Sequence, residues 1–279
     1  MLHLWVELSR ELKLKIFREQ FLGLSKIAKS CTILNEDDLI FRYDKKQKRI
    51  SAFANKPVLV KNEDLQYLVS FEIGTFSIDF SYVNLETKDF VIKSVFYKGT
   101  SFYTPLEGSQ NIKAIKNRQK AYKGSLLHFM RALSKQNLKE EKYSIASGGF
   151  LVNPEKYISV SKIDSNMLFK VKLRAPLSVL YKNKLQSDIT SPKIYNYRKQ
   201  KPKKKMPFKD GDTLTPQLLL KTFKKKKEAK TQNPCFNTEF FIDNFGNYNP
   251  IEAFSLIGYM ADLRVGDSLP LDYSLEVAK

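Results

Sequence analysis

The first hydrophobic pattern in the chain has the period of a helix. Aliphatic side chains recur every three to four residues between positions 3 and 20, which predicts an amphipathic helix there. Gly23 follows this stretch at the position where glycine commonly ends a helix. Ser25 is placed to cap a short second helix. The aliphatic positions are Leu4, Val6, Leu8, Leu12 and Ile16.

From residue 39 the period falls to two, which is the period of a β-strand. Residues 39–43 and 49–53 flank a polar turn and predict a hairpin, and residues 57–61 predict a third strand. Residues 65–84 alternate strongly, but the apolar positions change from odd to even numbers at Gly74. A one-residue shift of this kind predicts a β-bulge at Gly74.

A further strand is predicted over residues 91–103, with Gly99 breaking it. The connections between these strands are too short for crossover helices, so an antiparallel meander is expected. A turn at 244–247 precedes a helix predicted over 251–263, which Pro250 opens. Shorter β segments lie between these regions, at 150–152, 156–160, 167–173, 177–181 and 240–243.

The strongest helical pattern spans residues 112–138. Its apolar stripe follows helical spacing and consists of Tyr122, Leu126, Phe129 and Leu133. Gly124 lies inside this stretch, although glycine in a helix costs about 1 kcal/mol relative to alanine. We therefore expect another element to approach the helix closely at Gly124.

These elements predict an α+β fold made mainly of antiparallel β-sheet. The sheet is expected to form a meander or a sandwich, with one long amphipathic helix packed across it and short helices at the ends. Four segments are expected along the chain. They are an N-terminal helical segment (1–36), a β-rich core with the long helix (37–197), a basic loop (198–232) and a strand-turn-helix that closes the core (233–279).

Charge is concentrated in one part of the chain. The 279 residues are 42% hydrophobic, enough to bury a core, and carry a formal net charge of +19. Residues 198–230 hold 13 Lys and Arg against three acidic residues. This segment is either a solvated loop or a site for nucleic acid or an envelope polyanion. Its candidate polyanion-binding residues are Lys203, Lys204, Lys205, Lys224, Lys225, Lys226 and Lys227.

The sequence gives little evidence for targeting to a membrane or for disulfide bonds. Acidic and basic residues interrupt any apolar signal-peptide region in residues 1–12. No stretch approaches the roughly 18 consecutive apolar residues of a transmembrane helix. Cys31 and Cys235 are either two unpaired cysteines or one long-range disulfide.

The sequence contains no complete pattern for catalysis or metal binding. Its two histidines, His3 and His128, cannot supply the spacing of a zinc peptidase, so no catalytic, cofactor-binding or metal-binding residue is predicted. His128 is interpreted as a half-buried histidine bonded to a neighbour, and the alternative is a general base beside a carboxylate or nucleophile. Arg118 is interpreted as pairing with a carboxylate, and the alternative is anion recognition.

Acidic residues near the C-terminus invite another chemical interpretation. Asp262, Asp267 and Asp272 lie close together in sequence, as acid–base or calcium sites require, but their spacing does not match an EF-hand loop. The structural interpretation is that Asp267 caps a turn, Arg264 bridges to an acid, and residues 269–271 fill the core.

Four stretches of the sequence together resemble one family. They are residues 21–23 (Phe-Leu-Gly), 31–35 (Cys-Thr-Ile-Leu-Asn), 117–133 and 246–273. The resemblance is to the region after the regulatory domain in bacterial exported carboxypeptidase-like regulatory-domain-containing proteins. The positions that carry it are Arg118, Tyr122, Ser125, His128, Phe129, Arg131, Gly246, Asn247, Arg264, Asp267, Leu269, Pro270, Asp272 and Tyr273.

The resemblance implies a place in the cell envelope, in the periplasm or on the outer surface. The resemblance implies a signal peptide and a regulatory β-sandwich at the front, and this chain is expected to correspond to the later region alone. The word carboxypeptidase refers there to a non-catalytic β-sandwich, so no peptidase activity is implied. The expected function is a non-catalytic binding or structural module whose partner is an envelope polyanion or a protein. Polyanion or nucleic-acid binding through residues 198–230 is the alternative, followed by a hydrolase centred on His128 and by an inert remnant.

Overall fold

Helix α1 (Arg10–Leu22) confirms that a helix precedes Gly23, but it begins at Arg10, and residues 3–7 of the predicted helix lie outside the described residues. The side chain of Ser9 accepts a hydrogen bond from the backbone N–H of Leu12, and Gly23 ends the helix with a φ of 99°, which favours glycine. The apolar face of α1 buries Phe17 and Phe21 completely. The structure is a computed structural model that describes residues 8–163, 167–191 and 237–275.

Six antiparallel strands form the first sheet, which packs against α1. They are β1 (Cys31–Ile33), β2 (Leu39–Asp44), β3 (Arg49–Ala54), β4 (Val58–Asn62), β5 (Tyr67–Asn84) and β6 (Asp89–Pro105). β5 pairs with β6 along one edge, while its other edge pairs with β4 in the first half and β3 in the second. The predicted hairpin of β2 and β3 is confirmed. The simple meander is wrong, because β4 pairs with β1 and β5 instead of its chain neighbour β3.

Two glycines in the β5–β6 pair have different roles. The bulge predicted at Gly74 is confirmed, because the pairing register shifts between Ile73 and Thr75 and the buried positions of β5 change from odd to even numbers. The break predicted at Gly99 is wrong, because β6 continues through it. A side chain at Gly99 would collide with the carbonyl oxygen of Glu72, so glycine permits close pairing there.

The second half of the chain builds two more antiparallel sheets. One has the strand order β14-β13-β10-β9 and the other β15-β12-β11-β7-β8. Their strands are β7 (Tyr143–Ser147), β8 (Phe150–Leu151), β9 (Ile158–Lys162), β10 (Phe169–Leu173), β11 (Leu177–Tyr181), β12 (Leu185–Thr190), β13 (Thr238–Ile242), β14 (Tyr248–Asn249) and β15 (Ser255–Gly258). The predicted antiparallel, β-rich α+β class is thus confirmed.

The helix predicted over 251–263 is mostly wrong. Residues 255–258 form β15, which pairs with β12, and only α4 (Tyr259–Asp262) is helical. Hydrogen bonds to β12 stabilise the strand more than the local sequence favours a helix, because tertiary contacts often override local propensity.

The single long helix predicted near 112–138 is also wrong. The chain forms α2 (Ile112–Tyr122) and α3 (Leu126–Ser134), separated at Gly124, whose φ is 85°. Ser125 caps α3 by accepting a hydrogen bond from the backbone N–H of His128. Within the described ranges, no helix is long and apolar enough to cross a membrane.

Two hydrophobic cores result from this arrangement. The first core joins α1, the first sheet and the end of α2, and the second core joins α3 to the two later sheets. The predicted apolar stripe is divided between them, with Tyr122 in the first core and Phe129 in the second. Near the C-terminus, Val265, Leu269 and Tyr273 return to the first core.

Candidate functional site

The stretches behind the family resemblance meet where the two cores join. The C-terminal segment (residues 264–273) lies against the first sheet, and its backbone and side chains are bonded there. The carbonyl oxygen of Gly266 accepts a hydrogen bond from Asn62 Nδ2 at 2.8 Å, and Ser268 Oγ accepts one from the Tyr103 hydroxyl at 2.7 Å. The C-terminal segment is therefore fixed to β4 and β6.

Arg131 on α3 holds the end of the same segment. Its guanidinium donates hydrogen bonds to the carbonyl oxygens of Phe245 at 2.8 Å, Leu271 at 2.6 Å and Tyr273 at 2.6 Å. It also lies over the Tyr122 ring, 5.5 Å from its centroid. The planar fork of arginine suits this convergence of three oxygens, which joins α3 to both later stretches.

The turn at 244–247 is confirmed, and Gly246 has a specific reason to be glycine. Its φ is 87°, and a Cβ there would lie 2.7 Å from Arg131 Cγ. Asn247 is exposed, and its backbone N–H donates a hydrogen bond to the carboxylate of Asp243. This turn therefore allows Arg131 to pass close to the backbone.

Asp267 is the most enclosed carboxyl group in the C-terminal segment. Only 5% of the residue is exposed, and its Oδ1 accepts a hydrogen bond from Ser25 Oγ at 2.7 Å. Desolvation raises the pKa of this carboxyl group, and the hydrogen bond from Ser25 opposes the rise. Nearby Cys31 is partly buried, and desolvation raises the pKa of its thiol to about 12, which disfavours the thiolate form.

Other residues of the C-terminal segment have mixed roles. The guanidinium of Arg264 lies over the Tyr97 ring, 5.9 Å from its centroid. Leu269 is buried in the first core, as expected, but Leu271 is 46% exposed and does not fill the core. Pro270 is partly buried and Asp272 is exposed, so the three aspartates do not converge on one site.

Arg118 is buried in the first core. Only 2% of it is exposed, and its guanidinium donates hydrogen bonds to the carbonyl oxygens of Leu65 at 3.2 Å and Ser109 at 2.7 Å. It also lies over the Tyr67 ring. These two hydrogen bonds to backbone oxygens join α2 to the first sheet, and the pairing of Arg118 with a carboxylate stays a prediction.

His128 is more deeply buried than the sequence suggested. Only 3% of it is exposed, its Nδ1 accepts a hydrogen bond from the backbone N–H of Gly124 at 3.0 Å, and its Nε2 lies 2.9 Å from Glu141 Oε2. Because Nδ1 is an acceptor, Nε2 carries the proton and donates to Glu141. Desolvation lowers the pKa of His128, and the hydrogen bond to Glu141 opposes the shift.

The rings around His128 explain why Gly124 interrupts the helix. Tyr122, Tyr143 and Tyr181 have ring centroids 4.8 to 5.6 Å from the imidazole. A Cβ at Gly124 would lie 2.8 Å from Tyr181 Cδ1, which confirms the close approach expected at this glycine. The imidazole is therefore buried between the two cores, and both of its ring nitrogens are hydrogen-bonded within the protein.

An open cleft lies on the other side of the junction. Its volume is about 850 Å³, and its walls come from β6, the start of α3, β15, α4 and the C-terminal segment. Apolar side chains such as Val95, Leu126, Leu256 and Leu263 line it. Its charged residues are of both signs, namely Lys93, Glu252, Asp262, Arg264 and Asp267.

Several predicted residues lie outside the described part of the chain. They include His3, Cys235 and the seven candidate polyanion-binding lysines, Lys203, Lys204, Lys205, Lys224, Lys225, Lys226 and Lys227. The question of a disulfide between Cys31 and Cys235 therefore stays a prediction. Among the described residues, no cluster of three or more His, Cys, Asp or Glu side chains could hold a metal ion.

Sequence reasoning missed the partners that give these residues their roles. Glu141 lies 13 positions from His128, and Ser25 lies 242 positions from Asp267. Glu141 carried no signal, because it lies in a charged run after the helix. The cleft had no sequence signal either, because its walls are drawn from both cores.

The described residues thus define an antiparallel α+β protein in which two hydrophobic cores meet at a sealed junction, where the side chains are buried, with an open cleft beside it. Comparison with protein-family models, curated proteins and solved structures finds no match for this chain. The resemblance to the exported proteins accordingly stays a prediction.

Proposed function

We propose that this chain is a non-catalytic binding module of a bacterial cell-envelope protein, and that its ligand occupies the cleft between the two cores. The observation that carries the proposal is the cleft itself. Its volume of about 850 Å³ falls within the range of ligand sites in proteins, and such sites are mainly apolar with a few polar groups.

The placement of the titratable groups supports a binding role over a catalytic one. His128 is enclosed and both of its ring nitrogens are engaged within the protein. General acid–base catalysis requires such a group to reach a substrate. Asp267 borders the cleft but holds Ser25, and it is 95% covered. These features favour structural roles for both residues.

The envelope part of the proposal depends on the sequence resemblance. Polyanion binding remains the alternative, because the net charge of +19 would attract nucleic acid or acidic lipid headgroups. The two functions use different parts of the chain, so one pair of variants separates them.

The test is binding of the fluorescent probe 8-anilinonaphthalene-1-sulfonate to the full chain. Ala261 is partly exposed and lines the cleft, so we expect Ala261→Trp to fill it and abolish saturable probe binding. Thr100→Trp, on an exposed part of β6 outside the cleft, should leave binding unchanged. Equal probe binding by all three folded proteins would contradict the proposal.

The alternative is tested in the same preparations. DNA, RNA and lipopolysaccharide binding would be titrated over salt, with a variant in which Lys224, Lys225, Lys226 and Lys227 are changed to glutamine. Binding that falls steeply with salt and is lost in this variant, but not in Ala261→Trp, would favour the polyanion function.

A further inference from the structure

The walls of the cleft contain strand edges. All six residues from 92 to 97 of β6 line it, and so do all four residues of β15 (Ser255–Gly258). Side chains alternate between the two faces of a strand, so a cavity lying on one face would contact only every second residue. Consecutive lining therefore means that the cleft runs along the backbone edges of β6 and β15.

Both of these edges lack a strand partner in the described part of the chain. β6 pairs only with β5, and β15 pairs only with β12. An edge strand presents a row of N–H and C=O groups that can pair with another strand. The cleft is thus bordered by two such rows.

The geometry of β6 favours pairing over a defined stretch. Residues 94–98 pair with β5 in continuous register, from Ser94 opposite Asp79 to Lys98 opposite Thr75. Register shifts fall on either side, at Lys93 and at Gly74 of β5. A regular run of this length, bounded by bulges, can accept about five residues of a new strand.

We propose that the occupant of the cleft is an extended peptide segment of a partner protein, added as a strand to the free edge of β6. This inference rests on the proposed function and names its ligand class. The side chains of the added strand would alternate, and those facing β15 and α3 would meet Leu126, Leu256 and Ile257. Apolar residues suit these positions, because the three side chains that they would meet are apolar.

A lipid tail fits these walls less well than a peptide. A tail could fill the apolar space, but it would cover backbone groups of β6 and β15 without bonding to them. Each such group costs about 1–3 kcal/mol when it is buried without a partner. A peptide strand satisfies them, because its own N–H and C=O groups have the same spacing.

The experiment begins with random dodecapeptides displayed on phage and selected on the full chain. A selected peptide would be synthesised, together with versions methylated singly at each backbone nitrogen. We expect alternating losses of about tenfold for methylation at the nitrogens that pair with β6, and little change at those between them. Hydrogen exchange of the backbone amides in residues 94–98 should also slow when the peptide binds.

Matched variants locate the site. Phe96 is 38% exposed and lines the cleft, whereas Phe102 is 70% exposed on the same strand outside the cleft. We expect Phe96→Lys to weaken peptide binding at least about tenfold, and Phe102→Lys to leave it within about twofold. Circular dichroism and urea unfolding would verify that both variants fold.

The outcomes separate the peptide inference from the proposed function. If 8-anilinonaphthalene-1-sulfonate binds in the cleft but no selected peptide depends on Phe96, the peptide inference fails and the binding cleft stands. Equal binding of all methylated peptides would overturn strand addition. A protein that forms a dimer by light scattering, which Phe96→Lys dissociates, would make a second copy the occupant and overturn the partner peptide. If neither probe nor peptide binds, both proposals fail.

Discussion

The two sides of the junction between the cores use their polar groups in opposite ways. On the sealed side, away from the cleft, Arg131 and Asn62 bond to groups far away in the chain, and Asp267 does so at the border with the cleft. On the cleft side, β6 and β15 present backbone edges with no strand partner among the described residues. A 3.9 Å ion pair between Lys98 and Glu252 connects the two cores at the rim of the cleft.

This difference separates the polar groups that hold the fold together from those that a ligand could reach. Buried polar groups need partners, and Arg131, Asn62 and Oδ1 of Asp267 find theirs on distant elements. On the cleft side, the edges of β6 and β15 have no strand partner among the described residues, and such edges can accept an added strand. The predictions below test whether stability depends on the sealed side and recognition on the cleft.

The largest effect is expected at Arg131. Arg131→Ala removes one guanidinium from three carbonyl oxygens, and hydrogen bonds to charged groups are worth about 1.5–3 kcal/mol each, so we expect about 3 kcal/mol less free energy of unfolding. Urea denaturation measures this. Lys135→Ala, at an exposed position just after α3, is the control and should change stability by less than about 0.5 kcal/mol. Equal losses of stability in the two variants would contradict the expectation that stability depends on the sealed side.

A smaller loss is expected at Gly124. Gly124→Ala places a Cβ 2.8 Å from Tyr181 Cδ1 at a φ of 85°, and we expect about 2 kcal/mol of destabilisation. Gly148→Ala is the matched control, since Gly148 also has positive φ but open space around its Cβ position. If both variants lose the same stability, backbone strain alone explains the effect and the contact with Tyr181 contributes nothing.

The pH dependence of stability should report His128. Its pKa in the folded protein is lowered, mainly by desolvation, so the unfolded chain binds more protons in the window below about 6.5. The free energy of unfolding should therefore fall as the pH drops from 7 through this window. His128→Gln should remove the slope, whereas His3→Gln should keep it. A slope that disappears only in His3→Gln would contradict this assignment.

Asp267 should act with the opposite sign at lower pH. Its pKa is raised, mainly by desolvation, so the folded state holds its proton more tightly and stability falls as the pH rises from about 4. We expect the stability of Asp267→Asn relative to the original protein to improve between pH 4 and pH 7, as measured by thermal unfolding. A constant difference at every pH would show that this carboxyl group has the same pKa in the folded and unfolded states, and would contradict the prediction.

The smallest effect is expected at the rim of the cleft. Lys98 and Glu252 are each more than half exposed, and such surface pairs contribute about 0–1 kcal/mol. Glu252→Ala should therefore change the free energy of unfolding by less than about 0.5 kcal/mol. A loss comparable with that of Arg131→Ala would mean that both sides of the junction hold the cores together.

Sequence reasoning succeeded where local periodicity decides the structure. The alternation in β5 and its reversal at Gly74 predicted the sheet and the bulge, because burial on one face fixes which residues are apolar. It failed at residues 255–258, where pairing with a distant strand outweighed a helical pattern. At Gly124 it recognised a close approach but not the break between α2 and α3, because Tyr181 and the bond to His128 are contributed from elsewhere.

The candidate site was less predictable than the fold. Arg131 and Gly246 were singled out by resemblance, yet nothing local shows that their distant stretches touch. The cleft depends on two strand edges that come from different cores. Composition and spacing describe single elements, and neither reports which edges the final topology leaves unpaired.

The return of the C-terminal segment to the first core has a consequence for synthesis on the ribosome. Val265, Leu269 and Tyr273 complete a core whose other described residues lie within the first 127 positions. At the usual rate of translation, about ten seconds separate the emergence of these two parts. During that interval the nascent first core lacks three of its buried side chains and exposes aromatic surface. We therefore expect chaperone contacts with ribosome-bound chains to concentrate on the first sheet.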